Sequence, residues 1–89
     1  MTTARIDRIR AALEQALAPS RLDIIDDSAR HAGHAGAREG GHFKVSLTSE
    51  AFRGKTAIQR HRLVFAAVDA LMKTDIHALN IDARTPEEN

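Results

Sequence analysis

The spacing of the hydrophobic residues changes along the chain, and this change constrains the fold more than any other feature of the sequence. Between Ile6 and Leu17 apolar residues recur three and four positions apart, which is typical of an amphipathic helix. Thr3 is predicted to cap that helix and Pro19 to end it near Ala18. From His42 to Thr48 apolar and polar residues alternate, so this segment predicts a strand with one apolar face.

Three further segments complete the pattern. Leu22–Asp27 is predicted to be a short strand, and Ile76–Ala83 a third strand that begins with His77. Thr56–Lys73 has the spacing of a second helix. The order α-β-β-α-β predicts an antiparallel first strand pair and a parallel β-α-β crossover. We therefore expect an α+β fold in which two helices cover one face of a three-stranded mixed sheet, with residues 1–89 forming one domain.

The second helix, the turn before it and the end of the chain carry further predictions. Ser49–Lys55 is expected to be a turn with Phe52 tucked back and Gly54 as its flexible point, and Thr85 with Pro86 predicts a short terminal turn. Within the helix, the apolar arc is expected to include the residues listed here: Ile58, Val64, Phe65, Val68, Leu71 and Met72. His61 lies in the middle of this arc and is predicted to be a buried structural residue. Leu63 falls outside the arc, which indicates an exposed contact.

Ser28–Gly41 is predicted to be a loop that is long for a connection between two strands. It contains four of the five glycines, together with His31 and His34, and no large apolar residue. Loops of this length in a small domain are often functional. A zinc site normally needs three or four protein ligands, and nothing nearby in the sequence supplies a further ligand to these two histidines. A site made of His31, His34 and His42 is disfavoured, and His42 is expected to be an ordinary surface residue.

Composition excludes several classes of function. The chain has no Cys, so it has neither a disulfide nor a thiolate metal site of its own. A net charge of +1 argues against a dedicated nucleic-acid or membrane-surface binder, and no run of about 18 apolar residues is present. The first ten residues lack the apolar stretch of a secretory signal, so a cytoplasmic location is expected. No nucleophile–base pair or paired carboxylates can be defended, so the chain is predicted not to be an enzyme.

Several short motifs occur together along nearly the whole chain, from about Ile6 to Glu87. They are Asp27–His34, His42–Val45, Phe52–Lys55, Gln59–Val64, Ile76–Leu79 and Ala83–Pro86. In this order and spacing they resemble the BolA-like proteins (the BolA and IbaG type). The Arg-His-Arg-Leu-Val motif around His61 and the Ile-His-Ala-Leu motif around His77 are the most specific of them.

The resemblance implies a class II KH-like fold and a role as partner of monothiol glutaredoxins in iron–sulfur cluster maturation, trafficking and iron homeostasis. In such heterodimers a [2Fe–2S] cluster is shared, with glutaredoxin and glutathione supplying the thiolates. The resemblance assigns His77 and His31 as the ligands from this chain, with His34 as the alternative loop ligand. Alone, the chain is expected to hold no cofactor and to be a monomer or a weak homodimer.

The alternative that the resemblance implies is a DNA-binding transcriptional regulator of stress response and cell morphology. Its basic residues would lie around the turn and the second helix: Arg53, Lys55, Arg60, Arg62 and Lys73. A local basic patch can bind DNA even where the net charge is small. A steep salt dependence of DNA binding would distinguish this function from the cluster function.

Overall fold

The described elements follow one another in the predicted order. The computed structural model describes residues 2–27, 41–72 and 74–88. The helices and strands are α1 (Thr2–Leu17), β1 (Arg21–Asp26), β2 (Gly41–Thr48), α2 (Ala57–Ala67) and β3 (Ile76–Arg84). Short 3-10 turns occupy Glu50–Phe52, Asp69–Leu71 and Pro86–Glu88.

The strands form one three-stranded mixed sheet in the order β1-β2-β3. β1 pairs antiparallel with β2, and β2 pairs parallel with β3, as the element order predicts. The register places Val45 beside Ile24 on one side and beside Ile81 on the other. The predicted mixed α+β architecture is therefore confirmed.

The core forms where the helices pack on the sheet. The inward residues of the central strand, Phe43, Val45 and Leu47, are buried, because alternation places them all on the helix-covered face. The stripe of α1 supplies three more buried residues, Ile9, Leu13 and Leu17. Phe52, in the turn after β2, is fully buried, as predicted. Next to it Ser49 accepts a hydrogen bond from the Ala51 N–H and donates one to the Leu17 carbonyl, which joins the turn to the end of α1.

The helix ends differ in part from the sequence predictions. α1 begins at Thr2, so Thr3 lies inside the helix and not before its first residue as predicted. α2 begins at Ala57, one residue after the predicted start at Thr56, and it ends at Ala67 and not at Lys73. The physical reason is the buried Val68, whose backbone (φ −108°, ψ 14°) leaves the helix so that the following turn packs on the core.

The buried face of α2 also differs from the prediction. Ile58 is 65% exposed and Phe65 is 39% exposed, whereas Leu63, predicted to lie outside the apolar arc, packs against the core. His61 is exposed, so its predicted burial is wrong. Apolar residues surround much of this helix, so its spacing alone allows more than one buried face. Packing selects the face of Leu63, Val64 and Ala67.

The terminal turn forms as predicted. Pro86–Glu88 is a 3-10 turn, and the Thr85 N–H donates to the Glu88 carboxylate at 2.9 Å. Within the described ranges, none of the helices has the length and apolar character that crossing a membrane requires.

Candidate functional site

Two histidine rings meet where β2 and β3 begin. The ring centroids of His42 and His77 are 5.1 Å apart, and the ring planes are inclined by 52°. His77 is exposed and His42 is half-buried. The site is thus formed by two neighbouring strands, one of which carries the histidine of the Ile-His-Ala-Leu motif.

A shift in strand register produces this contact. Gly41 pairs with Ile76, but the next residue, His42, pairs with Ala78, so His77 is the additional residue on β3. Such an irregularity breaks the two-residue alternation and redirects a side chain. Strict alternation groups His77 with Leu79 and Ile81, and it does not predict the contact with His42.

The loop that carries the other predicted ligands begins and ends at the same place. The Asp27 N–H donates to the His42 carbonyl at 2.7 Å, and the Gly41 N–H donates to the Asp75 carbonyl at 3.0 Å. Both ends of the 28–40 segment are therefore anchored within two residues of His42 or His77. His31 and His34 themselves lie outside the described residues.

An ion pair fixes the backbone just before His77. The buried Asp75 carboxylate accepts two hydrogen bonds from Arg8 of α1, from Nε at 2.9 Å and from Nη2 at 2.6 Å. Arg5 lies farther away, at 3.7 Å. The hydrogen bonds from Arg8 hold the pKa of Asp75 below its usual value. The start of β3 is thus tied to α1 by a charged contact that the periodicity of the sequence does not indicate.

An open groove of about 560 Å³ joins the histidine site to α2. Its apolar lining includes Phe43, Phe65 and Leu79, and its polar lining includes His42 and His61. His61 therefore lines a surface groove and not the core. Its exposure follows from the rotation of α2 relative to the predicted apolar arc.

The basic residues predicted for DNA binding are held in different ways. Arg53 makes ion pairs with Glu50 and Glu87, at 2.8 and 2.6 Å. Arg60 pairs with Glu88 at 2.6 Å and also donates to the Ala83 carbonyl at 3.2 Å.

These contacts shift the pKa of each partner. Hydrogen bonds from Arg60 lower the pKa of Glu88 to about 2, and those from Arg53 lower the pKa of Glu87. Lys55 and Arg62 are exposed, and Lys73 lies outside the described residues. The structure thus pairs two of the five predicted cations with carboxylates that the sequence pattern did not associate with them.

Comparison with known proteins identifies the family. The family model described as BolA-like protein matches residues 13–88. SufE-like protein 1, chloroplastic/mitochondrial, of Arabidopsis thaliana is 41% identical over 91% of this chain and 24% of its own length. The DNA-binding transcriptional regulator BolA of Escherichia coli (strain K12) is 35% identical over 92% of this chain and 76% of its own length.

The fold comparison agrees with the sequence comparison. The solved BolA domain of SufE1 from Arabidopsis thaliana superposes with a TM-score of 0.82 at 43% identity, and 93% of each chain is covered. The chain spans 24% to 58% of the length of the first six curated relatives. The name of one relative assigns it to chloroplasts and mitochondria, so the cytoplasmic location of this chain stays a prediction. The matched family model and the similarity to the bacterial regulator establish that the chain belongs to the BolA family.

Proposed function

We propose that the chain is a non-enzymatic, cytoplasmic partner of a monothiol glutaredoxin and supplies histidine ligands to a shared [2Fe–2S] cluster. In this function it takes part in iron–sulfur cluster maturation, trafficking and iron homeostasis. His77 is the ligand from the sheet and His31 the ligand from the loop, with His34 as the alternative. The observation that carries the proposal is the placement of exposed His77 beside both anchored ends of the 28–40 segment.

The donor set fits this chemistry. Without Cys, the chain depends on a partner for the thiolates that iron–sulfur clusters require. Histidine in place of thiolate makes the cluster less negative and raises its reduction potential. Only the neutral imidazole binds a metal, so ligation of this kind is sensitive to protons. These properties favour a cluster that is shared and released over one that is stored.

The backbone of His77 is well supported. It is fixed by strand pairing and by the Arg8–Asp75 contact that precedes it. Asp27 and Gly41, which flank the segment that contains His31, form hydrogen bonds at the same place. A ligand that is fixed before the partner binds lowers the entropic cost of binding.

The decisive experiment is a titration of [2Fe–2S] monothiol glutaredoxin, with glutathione, by the chain, followed by visible circular dichroism. We expect a new spectrum that saturates at one chain per glutaredoxin. His77→Ala should abolish that spectrum. His61→Ala is the matched control, because it removes an exposed imidazole that belongs to α2 and not to the start of β3, and it should leave the spectrum unchanged. An unchanged spectrum on addition of the wild-type chain, without co-elution, would refute the proposal.

The loop ligand can be assigned in the same titration. His31→Ala should change the optical and electron paramagnetic resonance signals of the shared cluster, whereas His34→Ala should leave them intact. The reverse pattern would identify His34 as the ligand. Lowering the pH towards 5 should destabilise the cluster, because protons compete with iron for imidazole.

A second candidate function is DNA binding. It is favoured by the similarity to the Escherichia coli protein whose name describes a DNA-binding transcriptional regulator. Among the described cations of the predicted basic patch, Lys55 and Arg62 are exposed, whereas Arg53 and Arg60 pair with carboxylates, so Lys55 and Arg62 are the ones we propose for phosphate contacts. Binding to duplex DNA that weakens steeply with salt, and weakens further in the Lys55→Gln and Arg62→Gln variants, would support this function. Binding that these substitutions do not change would argue against it.

A further inference from the structure

The His42–His77 pair has the spacing of two ligands on one metal ion. A metal–nitrogen bond of about 2.1 Å places an imidazole centroid roughly 3.2 Å from the ion, so two rings at a tetrahedral angle lie about 5.2 Å apart. The observed centroid distance is 5.1 Å. We propose that His42 and His77 together bind one divalent transition-metal ion in the chain on its own.

The backbone holds the two residues in position before any ion binds. Their strands are adjacent and parallel, and the register shift between Gly41 and His42 brings the side chain of His77 next to that of His42. The Gly41 N–H and the Arg8 side chain both bond to Asp75, two residues before His77. A preorganised pair binds more tightly than two separate imidazoles, because the second ligand is already at a high local concentration.

Access and chemistry support the same proposal. His77 is exposed, so an ion can approach the pair from the side of that ring, whereas the Nε2 atom of His42 is buried. Imidazole suits zinc, copper and nickel, and copper(II) binds most tightly in this series. Across residues 2–27, 41–72 and 74–88, no group of three or more His, Cys, Asp or Glu could hold a metal ion. The pair therefore predicts a two-ligand site whose other positions are open to water or to a partner's donors.

This proposal does not depend on glutaredoxin, since it concerns the isolated chain. It differs from the cluster proposal in the role of His42, which the family resemblance does not name as a ligand. Failure of the glutaredoxin titration would leave it standing, and its own failure would leave His77 available to the cluster.

Copper(II) binding to the isolated chain of 89 residues tests the proposal. Because His31 and His34 supply two further imidazoles, the titration uses the His31→Asn/His34→Asn chain, with calorimetry for the affinity and electron paramagnetic resonance for the number of coordinated nitrogens. We expect one ion per chain with two imidazole nitrogens. Adding His42→Asn or His77→Asn should weaken binding about tenfold or more and leave one nitrogen. Adding His61→Asn is the matched control and should change neither value.

Two results would overturn the proposal. In the first, His42→Asn binds copper with the affinity and nitrogen count of its parent, so that the rings are only in packing contact. In the second, the parent chain shows fewer than two imidazole nitrogens. Thermal unfolding of each variant, followed by far-ultraviolet circular dichroism, verifies that it is folded. If His42→Asn does not fold, His42→Gln takes its place.

Discussion

His61 shows how one side chain can belong to a family motif and yet contribute little to stability. It lies on α2 with its imidazole exposed along the groove. Exposed side chains away from caps and buried networks usually change the free energy of unfolding by less than about 0.5 kcal/mol when they are replaced. We therefore expect His61→Ala to leave the urea unfolding midpoint nearly unchanged. Phe52→Ala, which empties a fully buried site, should cost about 3–5 kcal/mol in the same measurement. A loss above about 1 kcal/mol in His61→Ala would contradict the exposed position.

Individual residues also mark the limit of what sequence alone could predict at the site. His77 was identified through its motif, and the burial of Phe52 was predicted from the sequence and is confirmed. The contact between His77 and His42 could not be predicted, because it depends on a register shift that breaks the alternation. The pairing of Arg60 with Glu88 could not be predicted either, since 28 positions separate these residues and many other ion pairs were possible.

At the level of the element, α2 begins at a capping box. The Thr56 hydroxyl accepts from the Gln59 N–H at 3.2 Å, and the Gln59 side chain accepts from the Thr56 N–H at 2.9 Å. Loss of such a cap typically costs about 1 kcal/mol. We expect Thr56→Ala to lower the free energy of unfolding by about that amount, measured by urea denaturation, while Thr56→Ser, which keeps the hydroxyl, stays close to wild type. Equal stability of all three proteins would show that the helix start does not depend on this cap.

The elements differ in how far local sequence determines them. The capping box of Thr56 and Gln59 determines the start of α2 locally, and the alternation of apolar and polar residues determines β2. Both elements were therefore predicted from the sequence. The end of α2 was not, because Val68 leaves the helix in response to the core and not to a Pro or Gly. The buried face of α2 was likewise selected by packing, since residues such as Leu63 and Phe65 are equally apolar but only one packs against the core.

On the scale of the whole molecule, hydrogen-bonded ion pairs among the described residues connect parts that are distant in sequence. Arg8 binds Asp75 across 67 positions, Arg53 binds Glu87 across 34, and Arg60 binds Glu88 across 28. The first ties α1 to the start of β3, and the other two tie the region around α2 to the terminal turn. In each pair the hydrogen bonds from arginine lower the pKa of the carboxylate. Ion pairs therefore hold the fold together at both ends of β3, and acid can protonate their carboxylates.

These ion pairs predict that the stability of the fold decreases in acid, and Glu88 provides the test. Its pKa is 4.5 ordinarily and about 2 in the folded chain, so between these values the unfolded state binds more protons. The stability that the pair contributes is present above about pH 4.5 and is lost as the pH falls towards 2. Glu88→Gln should flatten the decrease of unfolding free energy across this window, measured by urea denaturation at each pH. Arg60→Gln should flatten it less, because the Thr85 N–H still donates to the Glu88 carboxylate, and the double variant should behave like Glu88→Gln. An unchanged pH dependence in Glu88→Gln would show that the pair does not act in solution.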